Sequence, residues 1–500
     1  MDPASSSPDY VARQKPLEHF RANTKRLKIH PQEVALLWIV CGNLCLLPWA
    51  IGGMRPWSQI GSFVLALAGF VVALVPRNYS EDQTGSNRFR LVMWPKLFRF
   101  PLFWLGLALL GYVTIQGLNP AWEYRSDGKV WWMRKTQYIE WLPSGVDVPF
   151  SRWGPWRMLL IYASVWLVVC SMWVGFTRRR TLQFFFLAIA GNGLLLAVFG
   201  LVQRLVSNGK MFWFWDSPSG SFFSSFVYKN HAGSFLDLTL FVSAGLAAWY
   251  YLRGLRRLEK SNPSGVLAFF ATCIAVAILV SYARGATLVM LAFLCVCIAV
   301  FVIHQLRSGT EHRRPIVAIV LILIFGYFLK TGLEALHSSE AWTKLKQGVT
   351  NEDASLESRR IATRASLEML RDYWRLGAGS GSFEFLFPAY QQHYPEIFMP
   401  GGHRLLWEHA HNDLVEIPAE LGLPGMLLIF AGAAYLLLLL TRNYFWTNPV
   451  SGCIVLGLSL LLGSAWWDFT FQNPAILTLS CALLVAATMW TLLEELSLKG

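Results

Sequence analysis

Two stretches of this chain combine residue types that could move protons or bind phosphate. One is Trp407-Glu408-His409-Ala410-His411-Asn412-Asp413-Leu414-Val415-Glu416, where a His-x-His pair sits among carboxylates just before an apolar run. A neutral imidazole poised near pH 7 is the commonest general base. Imidazole and carboxylate together also suit zinc or manganese, although the chain has no Asp-x-Asp and no His-Glu-x-x-His. The plainest alternative is a pair of histidines where a helix begins. The other stretch is Ser281-Tyr282-Ala283-Arg284-Gly285-Ala286-Thr287, whose arginine is the only formally charged residue in 267–304. An arginine at membrane depth is costly unless it is paired or faces a polar cavity, so it points to function. Its bland alternative is a turn residue that snorkels to the interface.

The elements that must position these groups are membrane helices. The 500 residues are 54% hydrophobic and only 15% charged, with mean hydropathy +0.41, far outside the usage of soluble domains. Apolar runs near 33–52, 57–76, 100–117, 156–177, 181–203, 232–252, 265–283, 285–304, 315–331, 423–441, 449–466 and 473–492 predict about twelve spans, since about 20 helical residues cross a hydrocarbon core. The expected fold class is all-α: a polytopic helical membrane protein with about twelve transmembrane helices and one long periplasmic loop carrying short helices. The expected divisions are a cytoplasmic tail over 1–32, nine helices over 33–331, the loop with the catalytic motif over 332–422, and three helices with a short cytoplasmic tail over 423–500. The polar tail before the first span argues against a cleaved signal peptide. The eight cysteines all lie in apolar stretches without Cys-x-x-Cys, and inert thiols are expected.

Charge orients the spans. The net charge of +13 is carried by short clusters between apolar runs, not by the stripe that a nucleic acid would need. With a cytoplasmic N-terminus, four clusters beyond the tail fall inside. They are Arg77 to Arg99, Arg178 to Arg180, Arg253 to Lys260, and Arg307 to Arg314, as the positive-inside rule requires. The outside then receives 118–155, 204–231 and 332–422. The first holds Trp122, Trp131, Trp132, Trp141 and Trp153, rings expected at headgroup level. In the last, apolar residues at Leu356, Ile361, Leu367 and Leu370 among charges predict an amphipathic surface helix.

Four motifs, in this order, resemble the O-antigen ligase and polymerase superfamily. Phe226-Val-Tyr-Lys-Asn-His-Ala-Gly233 resembles its asparagine loop, and Ser-Tyr-Ala-Arg284-Gly its arginine before a span. Arg359, Leu367, Met369, Asp372 and Gly377-Ala-Gly-Ser-Gly-Ser-Phe383 resemble its arginine, helix and glycine turn. His411-Asn412, with Gly422 and Gly425 beyond, resembles its signature. Departures are Thr363 and Trp374, where a tryptophan and a proline are usual, and Lys229, where a neutral residue is usual.

The resemblance implies transfer of a glycan from a polyprenyl-diphosphate-linked donor to a hydroxyl acceptor on the periplasmic face of the bacterial inner membrane. The acceptor would be lipid A core, another glycan or a protein; membrane lipid is a partner and nucleic acid is not. His411 would be the base or acceptor-orienting residue, supported by Asn412 and His409. Arg284 and Arg359 would clamp the diphosphate, with Arg360 and Lys229 as secondary candidates and Arg359 or Arg360 as the loop arginine. Cationic side chains would neutralise the leaving group, so neither metal nor other cofactor is expected. Ligase-type transfer is favoured over polymerisation. A transporter would be expected to show repeated halves and broken helices.

Overall fold

In a computed structural model of the chain, residues 29–79, 89–217, 221–258, 261–308, 326, 327, 330, 354–398 and 406–498 are described. The tail with its basic residues, most of the expected span at 315–331, and Arg88, Lys260, Arg313 and Arg314 lie outside the described residues. The long helices are α1 (Pro31–Trp49), α2 (Pro56–Leu74), α3 (Pro101–Leu118), α4 (Pro155–Gly175), α5 (Arg179–Leu205), α6 (Lys229–Arg257), α7 (Ser264–Val280) and α8 (Arg284–Ser308). They continue with α9 (Ala354–Tyr373), α10 (Phe383–Gln391), α11 (Asp413–Arg442), α12 (Pro449–Ser464) and α13 (Pro474–Leu498). Among the described residues nine helices are long and apolar enough to cross a membrane, and α7 and α12 are shorter apolar helices. The protein is an all-α polytopic membrane protein.

Local chemistry sets where these helices begin. Proline opens α1, α2, α3, α4, α12 and α13, at the position where its missing N–H and fixed φ cost nothing. Asn448 caps α12 by accepting from Val450 N and Ser451 N, and Asn473 caps α13 by accepting from Ala475 N and Ile476 N. The spans then pack through close approaches of small residues. Gly233 of α6 faces Ala283 and Ala286, where an added Cβ would lie 2.9 and 2.5 Å away, which presses the turn before α8 onto the first turn of α6.

Helix direction alternates along the chain, so the bundle has two unlike ends. One gathers Arg77, Arg178, Arg179, Arg180, Arg253, Arg256 and Arg257. The other gathers the start of α6, the turn before α8, the start of α11 and the α12–α13 connection. Here too a small sheet forms, β3 (Pro120–Ser126) between β4 (Trp131–Lys135) and β5 (Gly145–Asp147), following the hairpin β1 (Arg77–Tyr79) and β2 (Phe89–Leu91) at the basic end. Side chains of the sheet pack with α9 and α10 in a second core built on Val146, Ala362, Ala365, Met369, Phe383, Phe387 and Trp407.

The sheet corrects one expectation. Trp122 and Trp131 pack inward on this core, and Trp153 is buried under the Arg157 guanidinium, 3.9 Å from its ring centre. Trp132 and Trp141 stay exposed. Strand alternation is the reason, because successive side chains of Trp131-Trp132 must point to opposite faces. The amphipathic helix expected around 356–370 corresponds to α9. The expected start of the tenth span, at 423, coincides with a kink in α11 at Gly422, whose φ is 62°. There an added Cβ would lie 2.4 Å from Gly377 N, so two glycines let the loop and the helix touch backbone to backbone.

Candidate active site

His411 stands immediately before α11, with Asn412 as its cap residue. Its backbone is left-handed at φ 52°, a conformation that costs a non-glycine residue about 1–3 kcal/mol and persists only where the surroundings impose it. The surroundings are identifiable. Asp413 N donates to Ala465 O at 2.9 Å, and the Asp413 carboxylate accepts from Phe471 N at 2.7 Å, which ties the start of α11 to the α12–α13 connection. The Phe469 ring of that connection meets the His411 ring edge-on at 4.7 Å and stacks on His409 at 4.7 Å and on Tyr228 at 5.2 Å.

The same connection supplies a carboxylate. Asp468 Oδ1 lies 3.6 Å from His411 Nδ1, and Asp468 Oδ2 accepts from Asn230 Nδ2 at 2.7 Å. Arg359 of α9 completes the set: Nη1 donates to Trp467 O at 3.0 Å and Nη2 to the Tyr228 hydroxyl at 3.1 Å. Asn230 also donates to that hydroxyl at 2.7 Å. Residues from α6, α9, α11 and the α12–α13 connection therefore meet around one imidazole.

Electrostatics follow from burial and these neighbours. Burial and, less strongly, the Arg359 charge hold the His411 imidazole below its ordinary value of 6.5, against the opposing influence of the Asp468 carboxylate beside it. Burial opposes ionisation of Asp468, but the His411 contact and the Arg359 and His231 charges together hold its carboxyl below the usual range. His411 is thus a neutral base at neutral pH. His411 keeps 23% of its side-chain exposure, enough to meet a substrate.

His409 is built differently. Its Nδ1 lies 2.7 Å from Glu416 Oε1, while Glu416 Oε2 accepts from Ala410 N at 2.6 Å, and both side chains are buried. Burial depresses its pKa as well. Asn412 is fully buried, and neither its amide oxygen nor its amide nitrogen is hydrogen-bonded by a described residue.

The predicted cations divide. Arg359 reaches into the cluster, whereas the adjacent Arg360 is exposed and pairs at 3.5 Å with Glu357 on the outer face of α9. Lys229 is the first residue of α6, its N–H donating to Ser221 O at 3.0 Å. Arg284 is half-buried at the start of α8, on the turn that Gly233 brings against α6. Among the described residues no group of three His, Cys, Asp or Glu side chains is placed to hold a metal ion. Sequence reasoning did not single out Asp468, Tyr228 or Phe469. A signal existed for Asp468, a lone acid in Trp466-Trp467-Asp468-Phe469 between two apolar runs.

No curated protein matches the chain. Residues 267–430 match the family model described as O-Antigen ligase. That segment contains Arg284, Arg359, Arg360, His409, His411 and Asn412, while Tyr228, Asn230 and Asp468 lie outside it. The match, over this segment alone, supports the O-antigen ligase superfamily.

Proposed function

We propose that this protein transfers a preassembled glycan from a polyprenyl-diphosphate carrier to a hydroxyl acceptor, with His411 as base and Arg284 and Arg359 as the diphosphate clamp. The family match supports glycan transfer of this general type. The observation that carries the assignment of residues is the convergence of His411, Asp468, Arg359 and Tyr228, from separated parts of the chain, at one end of the bundle.

The chemistry is a displacement at the anomeric carbon. The acceptor oxygen forms the new bond to that carbon and gives its proton to His411 Nε2. The bond from carbon to phosphate oxygen breaks, and its electron pair leaves with the diphosphate. Asp468 beside Nδ1 orients the ring and stabilises the imidazolium that forms, a pairing that contributes about 10²–10⁴-fold as general-base catalysis. Arginine forks match phosphate oxygens two at a time. The N-termini of α6, α8 and α11 lie at this end as well, and their dipoles favour the negative charge of the leaving group.

This end faces the periplasm in our reading, because the basic clusters Arg77, Arg178 to Arg180 and Arg253 to Arg257 share the opposite end. Cysteine labelling tests it: a cysteine placed near Glu384, at the exposed Ala389, should react in intact inner-membrane spheroplasts, and reaction only after permeabilisation would reverse the orientation. Transfer to an acceptor is favoured over chain growth, since Arg284, Arg359, Arg360 and Lys229 are about enough cations for one diphosphate, and a second carrier would have to draw on Arg204, Lys210 or Arg404. The activity is tested with purified protein, lipid-linked glycan and candidate acceptors. Consumption of the carrier-linked glycan only with acceptor present is expected. A ladder of lengths from the lipid-linked unit alone would identify a polymerase.

A further inference from the structure

The outer face of α9 carries a row of cations that the proposed chemistry does not use. Arg360, Arg364, Leu367, Arg371 and Trp374 follow one another at alternating intervals of four and three residues, so they share one face of the helix. Arg364 and Arg371 are exposed and make no hydrogen bond or ion pair among the described residues. Leu367 and Trp374 are 37% and 48% exposed between them. The acids of the helix mostly look elsewhere: Glu368 accepts from the Tyr394 hydroxyl at 2.6 Å and Asp372 from the Tyr390 hydroxyl at 2.7 Å. Arg360 is paired with Glu357, and Glu368 lies close enough to feel the charge of Arg371.

Both ends of α9 are tied to the ends of spanning helices. Near its start, Arg359 bonds the Tyr228 hydroxyl just before α6 and Trp467 O just after α12. At its end, Trp374 O accepts from Leu423 N at 2.8 Å, and Leu376 O accepts from the Tyr112 hydroxyl at 2.7 Å. Tyr112 lies in α3, roughly 9 Å of helix short of its end at Leu118. The end of α9 therefore reaches the depth at which α3 leaves the hydrocarbon. Beyond it on α11 come Leu423, Leu427 and Phe430, all strongly exposed apolar side chains of a spanning helix.

We infer that this face of α9 docks on anionic phospholipid headgroups of the leaflet at the site end, with Arg364 and Arg371 pairing with phosphates and Leu367 and Trp374 inserted between acyl chains and headgroups. Charge complementarity selects the lipid class. A row of exposed arginines interleaved with an aromatic and an aliphatic side chain suits an anionic interface, whereas a zwitterionic one offers only the apolar part of the attraction. Because Arg359 lies on the same helix, the contact also holds a cation of the active site in place.

Native mass spectrometry of the full-length protein in neutral detergent, with added phosphatidylglycerol or phosphatidylcholine of identical chains, or with lipid A, tests this without any assay of transfer. The wild type should retain phosphatidylglycerol preferentially, and the double variant Arg364→Gln/Arg371→Gln should bind it roughly tenfold to thirtyfold more weakly, with phosphatidylcholine binding and lipid-free melting temperature unchanged. Equal retention of phosphatidylglycerol by the variant would overturn the inference. So would binding of lipid A by the wild type, lost in the variant, with no preference for phosphatidylglycerol. The outcome is separate from that of the proposed activity, since an inactive protein would still carry the row.

Discussion

Two buried polar clusters lie at opposite ends of the bundle and are built on opposite principles. At the basic end, the Glu33 carboxylate is fully buried and saturated. It accepts from Arg77 Nη1 at 3.0 Å, Thr177 N at 2.9 Å, Arg178 N at 3.2 Å, and the Thr177 and Thr181 hydroxyls at 2.6 Å each. Arg77 also donates to Gly175 O at 2.7 Å, so the hairpin β1–β2 is fastened to the end of α4. At the other end, His411 is held in a left-handed conformation and Asn412 is buried with both amide atoms unbonded by described residues. Buried polar atoms without partners cost about 1–3 kcal/mol each. The Glu33 carboxylate is saturated even though Arg77 Nε beside it is unbonded by described residues, whereas His411 is strained and both amide atoms of Asn412 are unbonded; the first cluster serves architecture and the second chemistry.

The largest effect that would break this comparison is on transfer itself. His411→Ala should lower the rate of glycan transfer by about 10²–10⁴-fold while the purified protein melts near the wild-type temperature, because the strained residue contributes little to stability. A variant that unfolds, or one that retains full activity, would make the two ends alike. Arg77→Met should do the reverse. It leaves Glu33 charged and buried without its guanidinium, a loss of about 3–5 kcal/mol, read as a lower melting temperature in detergent and reduced membrane abundance. Activity per folded molecule should remain close to normal.

The contrast also explains what was legible in the chain. Spans and the helix α9 follow from local patterns, namely apolar runs and a helical period of charges and apolar residues. His411 and Arg284 stand out because each is conspicuous in its own neighbourhood. Asp468 is not, since its meaning comes from contact with a histidine brought up from a distant segment, and no spacing rule encodes that contact. Tyr228 is equally silent, an aromatic residue whose role depends on where Arg359 arrives. Trp122 and Trp131 read as interfacial because the core that takes them inward is supplied by α9 and α10, far along the chain. The pairing of Glu33 with Arg77 has no local signal either: Arg77 reads only as part of a basic cluster, and the charge of Glu33 near the start of the first span does not name its partner.

A smaller effect sharpens the assignment within the active end. Asp468→Asn should reduce transfer by roughly tenfold to a hundredfold, in the range seen when an orienting partner is removed. The acidic limb of the pH–rate profile supplies a readout that a merely structural role would not move. In the wild type, His411 acts as a base only when neutral, and its depressed pKa keeps it neutral to below pH 6.5, so activity should be lost as pH falls beneath that value. Asp468 is one of the groups raising the His411 pKa. Removing its charge should lower that pKa further and shift the limb to lower pH. An unmoved limb would mean that Asp468 does not act through His411.

The smallest effect concerns two adjacent arginines. Arg359 and Arg360 cannot both face the cluster, because neighbours on a helix point about 100° apart. Arg359 bonds the Tyr228 hydroxyl and Trp467 O, while Arg360 is exposed beside Glu357. Exposed i,i+3 pairs contribute only a few tenths of a kcal/mol. Arg360→Gln should therefore leave both melting temperature and transfer within about twofold of wild type. Arg359→Gln should lower transfer at least tenfold, since it removes a charge-assisted contact to phosphate. If the two variants were equally impaired in a rate assay at saturating donor, α9 would have to rotate or shift on binding substrate, and the geometry around Tyr228 would describe a resting state only.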